Sequence, residues 1–120
     1  MSMRLGKKKN LKLSRKGFVR VGLACVATEA SVPCRGKITL RGRFQYPSRA
    51  KASTSRKRYP SARFRIAAGA KMGVRIRIPR LTAKRIQESG KAKKVTVQVS
   101  AEDGAGAFLA LIAKRAIVPR

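Results

Sequence analysis

Hydrophobic and polar residues alternate in several segments of the chain after residue 10, and this period of two predicts β-strands. Seven segments follow the pattern, from the short "LKLS" at Leu11 to the apolar "AFLALIAKRAIV" near the C-terminus. The residues that the alternation assigns to buried faces are Val19, Val21, Leu23, Cys25, Cys34, Gly36, Ile38, Leu40, Phe64, Ile66, Val74, Ile76, Ile78, Val95, Val97 and Val99. The outward positions between them are often Arg or Lys.

One segment breaks the alternation. In "RLTAKRIQESGK", Thr82 can cap a short helix that carries Ala83, Ile86 and Gln87, and Gly90 can end it. Gly69, in "AAGAK", is a turn residue between two strands. About seven strands with one short helix predict an all-β fold, an antiparallel β-sandwich of the Ig-like or fibronectin-like kind.

The domain limits follow from the same pattern. Residues 1–10 predict a basic N-terminal tail, and residues 11–119 predict one sandwich domain, as expected for 120 residues. Residues 42–62 are rich in Ser, Pro, Arg and Lys and have no sustained period, so they predict a long basic loop.

Charge changes the picture of what the domain does. The chain has 31 Lys and Arg against 4 acids and no His, which gives a formal net charge of +27. Such a charge attracts polyanions at long range: nucleic acid, anionic lipid headgroups or acidic cell-wall polymers. The competing explanation is a codon bias toward Arg and Ala in a GC-rich genome, with no ligand at all.

The sequence contains no run of 18 apolar residues, so no transmembrane segment is predicted. The N-terminus starts with charged residues but has no apolar segment after them, unlike a signal peptide.

The two cysteines, Cys25 and Cys34, have three interpretations. A zinc site needs about four ligands, and with no His and four scattered acids the count fails. A redox pair usually has C-x-x-C spacing, whereas eight residues intervene here. A structural disulfide fits best, because both cysteines have the parity of buried residues, and the intervening stretch would close a hairpin-like connection between neighbouring strands. The alternative is two reduced, buried cysteines.

A disulfide implies an oxidising compartment. Its presence would therefore favour export, while the N-terminus favours an intracellular protein.

The order of these segments resembles the Arg- and Ala-rich Ig-like repeats of exported actinobacterial proteins. The resemblance rests on the "CRG" strand, the "LTAKRIQESGKAKKVTVQV" segment and the strand-turn that follows, and it covers roughly residues 11–118. The matching positions are Cys25, Cys34, Arg35, Gly36, Gly69, Val74, Ile76, Gly90, Val95, Val97, Val99, Asp103 and Gly106. The chain departs from the repeats in its missing leader and its longer, more basic 42–62 loop. The resemblance implies a non-catalytic surface or envelope module.

The sequence contains few residues that could take part in catalysis or bind a metal. The acids are Glu29, Glu88, Glu102 and Asp103, and only the last two adjoin, which is too few oxygens for calcium. No glycine pattern forms a phosphate-binding loop. We therefore expect a protein that is not an enzyme and that uses no metal and no cofactor.

Two basic stretches without acids are the stronger candidates for binding. Arg–phosphate contacts are favoured by the geometry of the guanidinium group, and aromatic rings in the second stretch could stack on bases or sugars. The candidate polyanion contacts are Lys7, Lys8, Lys9, Arg41, Arg43, Arg49, Lys51, Arg56, Lys57, Arg58 and Arg63, and the candidate stacking residues are Phe44, Tyr46 and Tyr59.

The leading hypothesis is a non-enzymatic Ig-like structural or interaction module of an exported or cell-envelope protein. Its partners would be an anionic polymer (a cell-wall glycopolymer or nucleic acid) and neighbouring repeats or protein subunits. The alternatives are an intracellular, cytoplasmic nucleic-acid-binding protein associated with RNA or DNA, and a coat or decoration protein of a virus particle.

Overall fold

A computed structural model describes residues 2–26, 33–44, 59–102 and 108–120. These residues form eight strands and one helix. In chain order the elements are β1 (Ser2–Leu5), β2 (Asn10–Lys12), β3 (Phe18–Val26), β4 (Cys34–Arg41), β5 (Ser61–Ile66), β6 (Lys71–Arg77), α1 (Arg80–Ser89), β7 (Lys93–Glu102) and β8 (Phe108–Val118).

The strands form two sheets, as the all-β prediction requires. One sheet has three strands in the order β1-β3-β6, and the other has five in the order β2-β8-β7-β4-β5. Neighbouring strands are antiparallel, except that β2 runs parallel to β8. Among the described strands the chain changes sheets five times: between β1 and β2, between β2 and β3, between β3 and β4, between β5 and β6, and through α1 between β6 and β7.

Side chains from both sheets form one hydrophobic core in a sandwich-like arrangement. The residues that the alternation assigned to buried faces are buried, except that Gly36 is partly exposed, and the outward arginines between them, such as Arg75, are exposed. Val19, Val21 and Ile76 of the smaller sheet join Ile38 and Val97 of the larger one. The prediction of strand faces is confirmed because a residue's face depends only on the local two-residue period.

The N-terminal tail prediction is wrong for residues 2–5. They form β1, which pairs with β3 so that Met3 lies opposite Cys25 and Leu5 opposite Leu23. Met3 is buried in the core. Four residues are too few for a visible alternation, and the strand forms because the edge of β3 offers unpaired backbone groups. β1 is therefore the eighth strand, one more than the seven that the sequence pattern predicted.

The predicted helix is present, with a different start. It begins after Pro79, which makes no side-chain capping hydrogen bond, and Thr82 lies buried in its first turn instead of capping it. The predicted end is confirmed. Gly90 adopts φ 67°, and its N–H donates to the Ile86 carbonyl oxygen at 3.1 Å. A left-handed residue at this position is the usual role of glycine at a helix C-terminus.

The disulfide between Cys25 and Cys34 is confirmed, with a Cα–Cα distance of 5.8 Å and both cysteines buried. The two strands are not neighbours, however, so the hairpin-like connection is wrong. β3 belongs to the three-stranded sheet and β4 to the five-stranded sheet. The bond therefore crosses the core and ties the two sheets together.

The chain returns to the smaller sheet beside this bond. Gly69, with φ 79°, lies in the predicted turn before β6. Its N–H donates to the Cys25 carbonyl oxygen at 2.8 Å, and the Cys25 N–H donates to the Ala70 carbonyl oxygen at 2.9 Å. The disulfide end of the sandwich is therefore closed by covalent and backbone bonds together.

The predicted 42–62 loop has its ends where expected, because β4 ends at Arg41 and β5 begins at Ser61. Residues 45–58 lie outside the described part of the chain. The loop ends meet at one point, where the Leu40 N–H donates to the Pro60 carbonyl oxygen at 2.9 Å.

Candidate functional site

Two adjoining grooves at the Arg41 end of the five-stranded sheet hold a cluster of cations. The first, here the helix groove, lies between α1, the start of β7 and the residues after β4. It has a volume of about 400 Å³. Its cations are Arg43, Arg85, Lys91 and Lys93, and none of the described residues that line it is acidic.

The helix groove is assembled from three separate segments. Arg85 lies on α1, Lys91 follows the Gly90 cap, and Lys93 begins β7. Burial lowers the pKa of Lys93 below its usual value of 10.5, and repulsion from Arg43 and Arg85 lowers it further. A cationic side chain that is partly desolvated among like charges gains most from an anion that neutralises them.

The second groove, here the strand groove, crosses the outer surface of β7 and its neighbours. It has a volume of about 520 Å³ and is lined by Lys9, Arg41, Lys94, Lys114 and Arg115 among uncharged residues. Strand register creates it. Arg41 lies opposite Thr96, which lies opposite Lys114 on the next strand, and Lys94 lies opposite Ala116.

Lys93 and Lys94 connect the two grooves. They are consecutive on β7, so the two-residue period sends one toward the helix groove and the other toward the strand groove. The two grooves therefore lie on opposite faces of β7, and a polyanion contacts both by passing around this end of the sheet. The arrangement suits an extended ligand with repeated negative charges.

Two of the three proposed stacking rings, Tyr59 and Phe44, make cation–π contacts with basic side chains of the chain itself. The Arg41 guanidinium lies 5.5 Å from the centre of the Tyr59 ring, and the Lys93 ammonium lies 5.7 Å from the centre of the Phe44 ring. Such cation–π contacts orient the charges and occupy one face of each ring. Phe44 and Tyr59 therefore position cations here, and a nucleobase could not stack on those faces without displacing them. Tyr46 lies outside the described residues.

The predicted polyanion contacts do not all come together. Arg41, Arg43 and Lys9 line the two grooves. Lys7 lies by a separate groove on the smaller sheet, and Lys8 is exposed away from these grooves. The remaining loop cations, Arg49, Lys51, Arg56, Lys57 and Arg58, lie outside the described residues.

Arg63 belongs to a second cluster, here the β4–β5 corner, near the disulfide end of β4. Cross-strand register sets Arg63 opposite Lys37 and Arg65 opposite Arg35. Glu102 also lines this surface, and its carboxylate lies 3.7 Å from the Arg35 guanidinium. The corner is therefore basic but carries its own counter-charge.

The sequence prediction missed most of the groove cations. These are Arg85, Lys91, Lys93, Lys94, Lys114 and Arg115. A usable signal was present in "GKAKKV", three lysines without an acid directly after the helix-ending glycine. The contributions of Lys114 and Arg115 had no local signal, because only strand pairing brings them beside β4 and β7.

The described part of the chain shows neither a cluster of metal-binding side chains nor a membrane-spanning helix. Its residues bring no three His, Cys, Asp or Glu side chains together as a metal site would require. None of its helices is long and apolar enough to cross a lipid bilayer.

No protein-family model matches the chain, and no curated protein is similar to it at a significant level.

Proposed function

We propose that the protein is a non-enzymatic Ig-like module that binds an acidic polymer across the helix groove and the strand groove. The observation that carries the proposal is the convergence of cations from β4, α1, β7 and β8 on adjoining grooves in which none of the described lining residues is acidic. A codon bias toward Arg and Ala would add cations to the chain but would not by itself bring them together in grooves. The absence of histidine and the small number of acids support a binding role without catalysis.

Strand order supports the Ig-like part of the proposal. In Ig domains one sheet contains strands A, B and E and the other contains C, F and G. If β1, β3 and β6 are A, B and E, then β4, β7 and β8 are C, F and G, and β5 beside β4 takes the place of the additional C′ strand. The chain departs from antibody domains in three respects. The smaller sheet has no strand in the D position in the described part of the chain. The chain has no Trp, and its disulfide joins the B and C positions instead of B and F.

An acidic glycopolymer of the cell envelope is the polymer we favour. The Cys25–Cys34 disulfide supports an oxidising location, and the resemblance to exported Ig-like repeats agrees with it. The cation-covered faces of Phe44 and Tyr59 favour contacts with charged groups over stacking of bases. Nucleic acid is the alternative that the experiment must separate.

The test compares two triple variants with equal loss of charge. The groove variant is Arg41→Gln, Arg43→Gln and Lys94→Gln; the corner control is Lys37→Gln, Arg63→Gln and Arg65→Gln. All six side chains are exposed, so both variants should fold. Affinity is measured at several salt concentrations for poly(glycerol phosphate), polygalacturonate, duplex DNA and single-stranded RNA.

We expect the groove variant to lower affinity for the preferred polymer at least about tenfold at physiological salt. The slope of the logarithm of the binding constant against the logarithm of the salt concentration should become shallower by about two to three. This estimate takes roughly 0.7–0.9 for each of the three lost contacts. The corner control should change both quantities much less. Equal losses in the two variants would show that only net charge matters. Tighter binding of DNA or RNA than of the two envelope-type polymers would favour the nucleic-acid alternative.

A further inference from the structure

The longest strand, β8, has an open edge over much of its length. It pairs with β7 from Phe108 to Ile117, whereas β2 covers its other side only from Ala116 to Val118. No described segment forms a ladder with the outer side of residues 108–115. This leaves the N-terminal half of β8 as an edge of the five-stranded sheet.

The backbone groups on that edge can be identified. The Ala116 N–H donates to the Lys9 carbonyl oxygen, and the Val118 carbonyl oxygen accepts from the Leu13 N–H, so even-numbered residues present their backbone groups away from β7. By the same period, Ala110 and Ile112 do so too. The Lys114 carbonyl oxygen accepts from the Arg115 guanidinium at 2.8 Å, and this guanidinium also donates to the Gly6 carbonyl oxygen at 3.0 Å. Arg115 therefore closes the edge at Lys114, and residues 108–113 stay open.

This open stretch differs from the other strand edges of the described structure. Natural proteins protect sheet edges with charged residues, which discourage pairing with another strand. β5 carries Arg63 and Arg65, β6 carries Lys71, Arg75 and Arg77, β1 carries Arg4 and β2 carries Lys12. Residues 108–113, "FLALIA", carry no charge, and Ile112 is 70% exposed.

The distribution of charge indicates which kind of strand can pair with the open edge of β8. An acidic chain would be drawn to the basic grooves and would find no cation along residues 108–113. The uncharged strand that fits this edge is an identical one, because antiparallel pairing about a twofold axis makes the same edge complementary to itself. The open length favours the register that places Ala110 opposite Ala110, since this register leaves Lys114 outside the ladder.

We propose that two copies of the chain associate through antiparallel pairing of their β8 edges, which joins the two five-stranded sheets into one continuous sheet. In this register five residues, 108–112, pair over roughly 17 Å, so the interface is small and the dimer weak. The net charge of +27 on each copy opposes association. Because salt screens this repulsion, dimerisation strengthens as salt rises, whereas polyanion binding weakens.

A cysteine at the twofold axis tests the proposal. Residues opposite each other in a hydrogen-bonded antiparallel pair have Cα atoms about 5.5 Å apart, a distance that a disulfide spans. The native disulfide spans 5.8 Å. Ala110→Cys should therefore form a disulfide-linked dimer under mild oxidation, with a yield that rises with salt. The control is Met72→Cys, also exposed and also on an edge strand, but one that carries Lys71 and Arg75. Equal yields from the two variants would overturn the proposal.

A second pair of variants needs no cross-link. In sedimentation equilibrium at high salt and about millimolar protein, the native chain should show an average mass above the 13.1 kDa of the monomer. Ile112→Lys should restore the monomer mass, and Met72→Lys should not, although both replace an exposed apolar side chain with a charge. A native chain that stays monomeric under these conditions, or equal effects of the two lysines, would contradict pairing at β8.

Discussion

The two ends of β4 carry cations in different surroundings. At the Cys34 end, Arg35 and Lys37 line a groove of about 650 Å³ with the cations of β5, and Glu102 contributes a carboxylate near Arg35. At the Arg41 end, the cations border two grooves in which none of the described lining residues is acidic. The difference teaches that the number of positive charges does not by itself define a binding site. A concave surface without its own counter-charge leaves an anion as the available partner.

The same two ends differ in how tightly they are held. The Cys34 end is tied to the smaller sheet by the disulfide, and Gly36 lies so close to β7 that a Cβ there would collide with the Ser100 carbonyl oxygen. At the other end, a Cβ on Gly42 would meet its neighbours at 3.4 Å or more. We infer that the Cys34 end supplies rigidity and the Arg41 end supplies the ligand contacts.

The largest predicted effect concerns these two glycines. Gly36→Ala should lower the free energy of unfolding by about 3 kcal/mol or more, because the colliding atoms of β7 are backbone and cannot turn aside. Gly42→Ala should cost less than about 1 kcal/mol. Urea denaturation of the two variants measures both values. Similar costs at the two positions would contradict the difference in tightness.

Next in size is the loss of the disulfide. The closed loop of about ten residues gives roughly 2.7 kcal/mol in the chain-entropy model. Replacing both Cys25 and Cys34 with Ala should lower the free energy of unfolding by about this amount. Polyanion affinity should be unchanged while the variant is folded, because the grooves lie at the opposite end of β4. Lost affinity in a folded variant would show that the two ends are coupled.

The pH dependence of Lys93 gives a smaller effect. Its lowered pKa means that the folded protein releases this proton before the unfolded chain does. Between the folded pKa and the unfolded value near 10.5, the unfolded state binds more protons, so Lys93 makes stability rise with pH in this window. NMR titration of the Lys93 side chain should find a pKa below 10.5 that rises when poly(glycerol phosphate) is added. A Lys93 pKa that does not change when the polymer is added would show that Lys93 is not part of the contact surface. Lys93→Gln should abolish the contribution of this residue to the pH dependence of stability.

The smallest effect is expected at the β4–β5 corner. The Arg35–Glu102 pair is exposed, and exposed ion pairs contribute less than about 1 kcal/mol. Glu102→Gln should therefore change the free energy of unfolding only slightly, and less at high salt. The corner is also concave, so a gain of affinity to the level of the other two grooves would show that the carboxylate of Glu102 is what distinguishes the two ends.

Much of the fold could be predicted from particular residues. The faces of β3, β6 and β7, the turn at Gly69 and the helix end at Gly90 depend on local geometry and were correct. β1 and the start of α1 were not predicted correctly. β1 forms only because β3 would otherwise have unpaired backbone groups on the side away from β6, and Thr82 is buried because α1 packs against the core through Ile86. Both outcomes depend on contacts with residues far away along the chain.

The site was less accessible to prediction. Arg41, Arg43 and Lys9 were identified because they lie in acid-free stretches, but Lys114 lies 73 positions after Arg41 in the printed sequence. The two become neighbours across β7 only through the register that sets both opposite Thr96. Arg63 was assigned to the same group as Arg41 on the strength of sequence proximity, yet pairing with Lys37 places it at the corner.

The sequence by itself determined which residues face the core, Cys25 and Cys34 among them, where glycine permits a turn and how strong the net charge is. These properties follow from sterics and composition within a few residues. Only the tertiary structure decided that the disulfide joins two sheets, which cations share a groove and which strand edge stays open. Those outcomes follow from long-range pairing, because an alternating strand is compatible with many partners and the choice among them is made by the packing of the whole core.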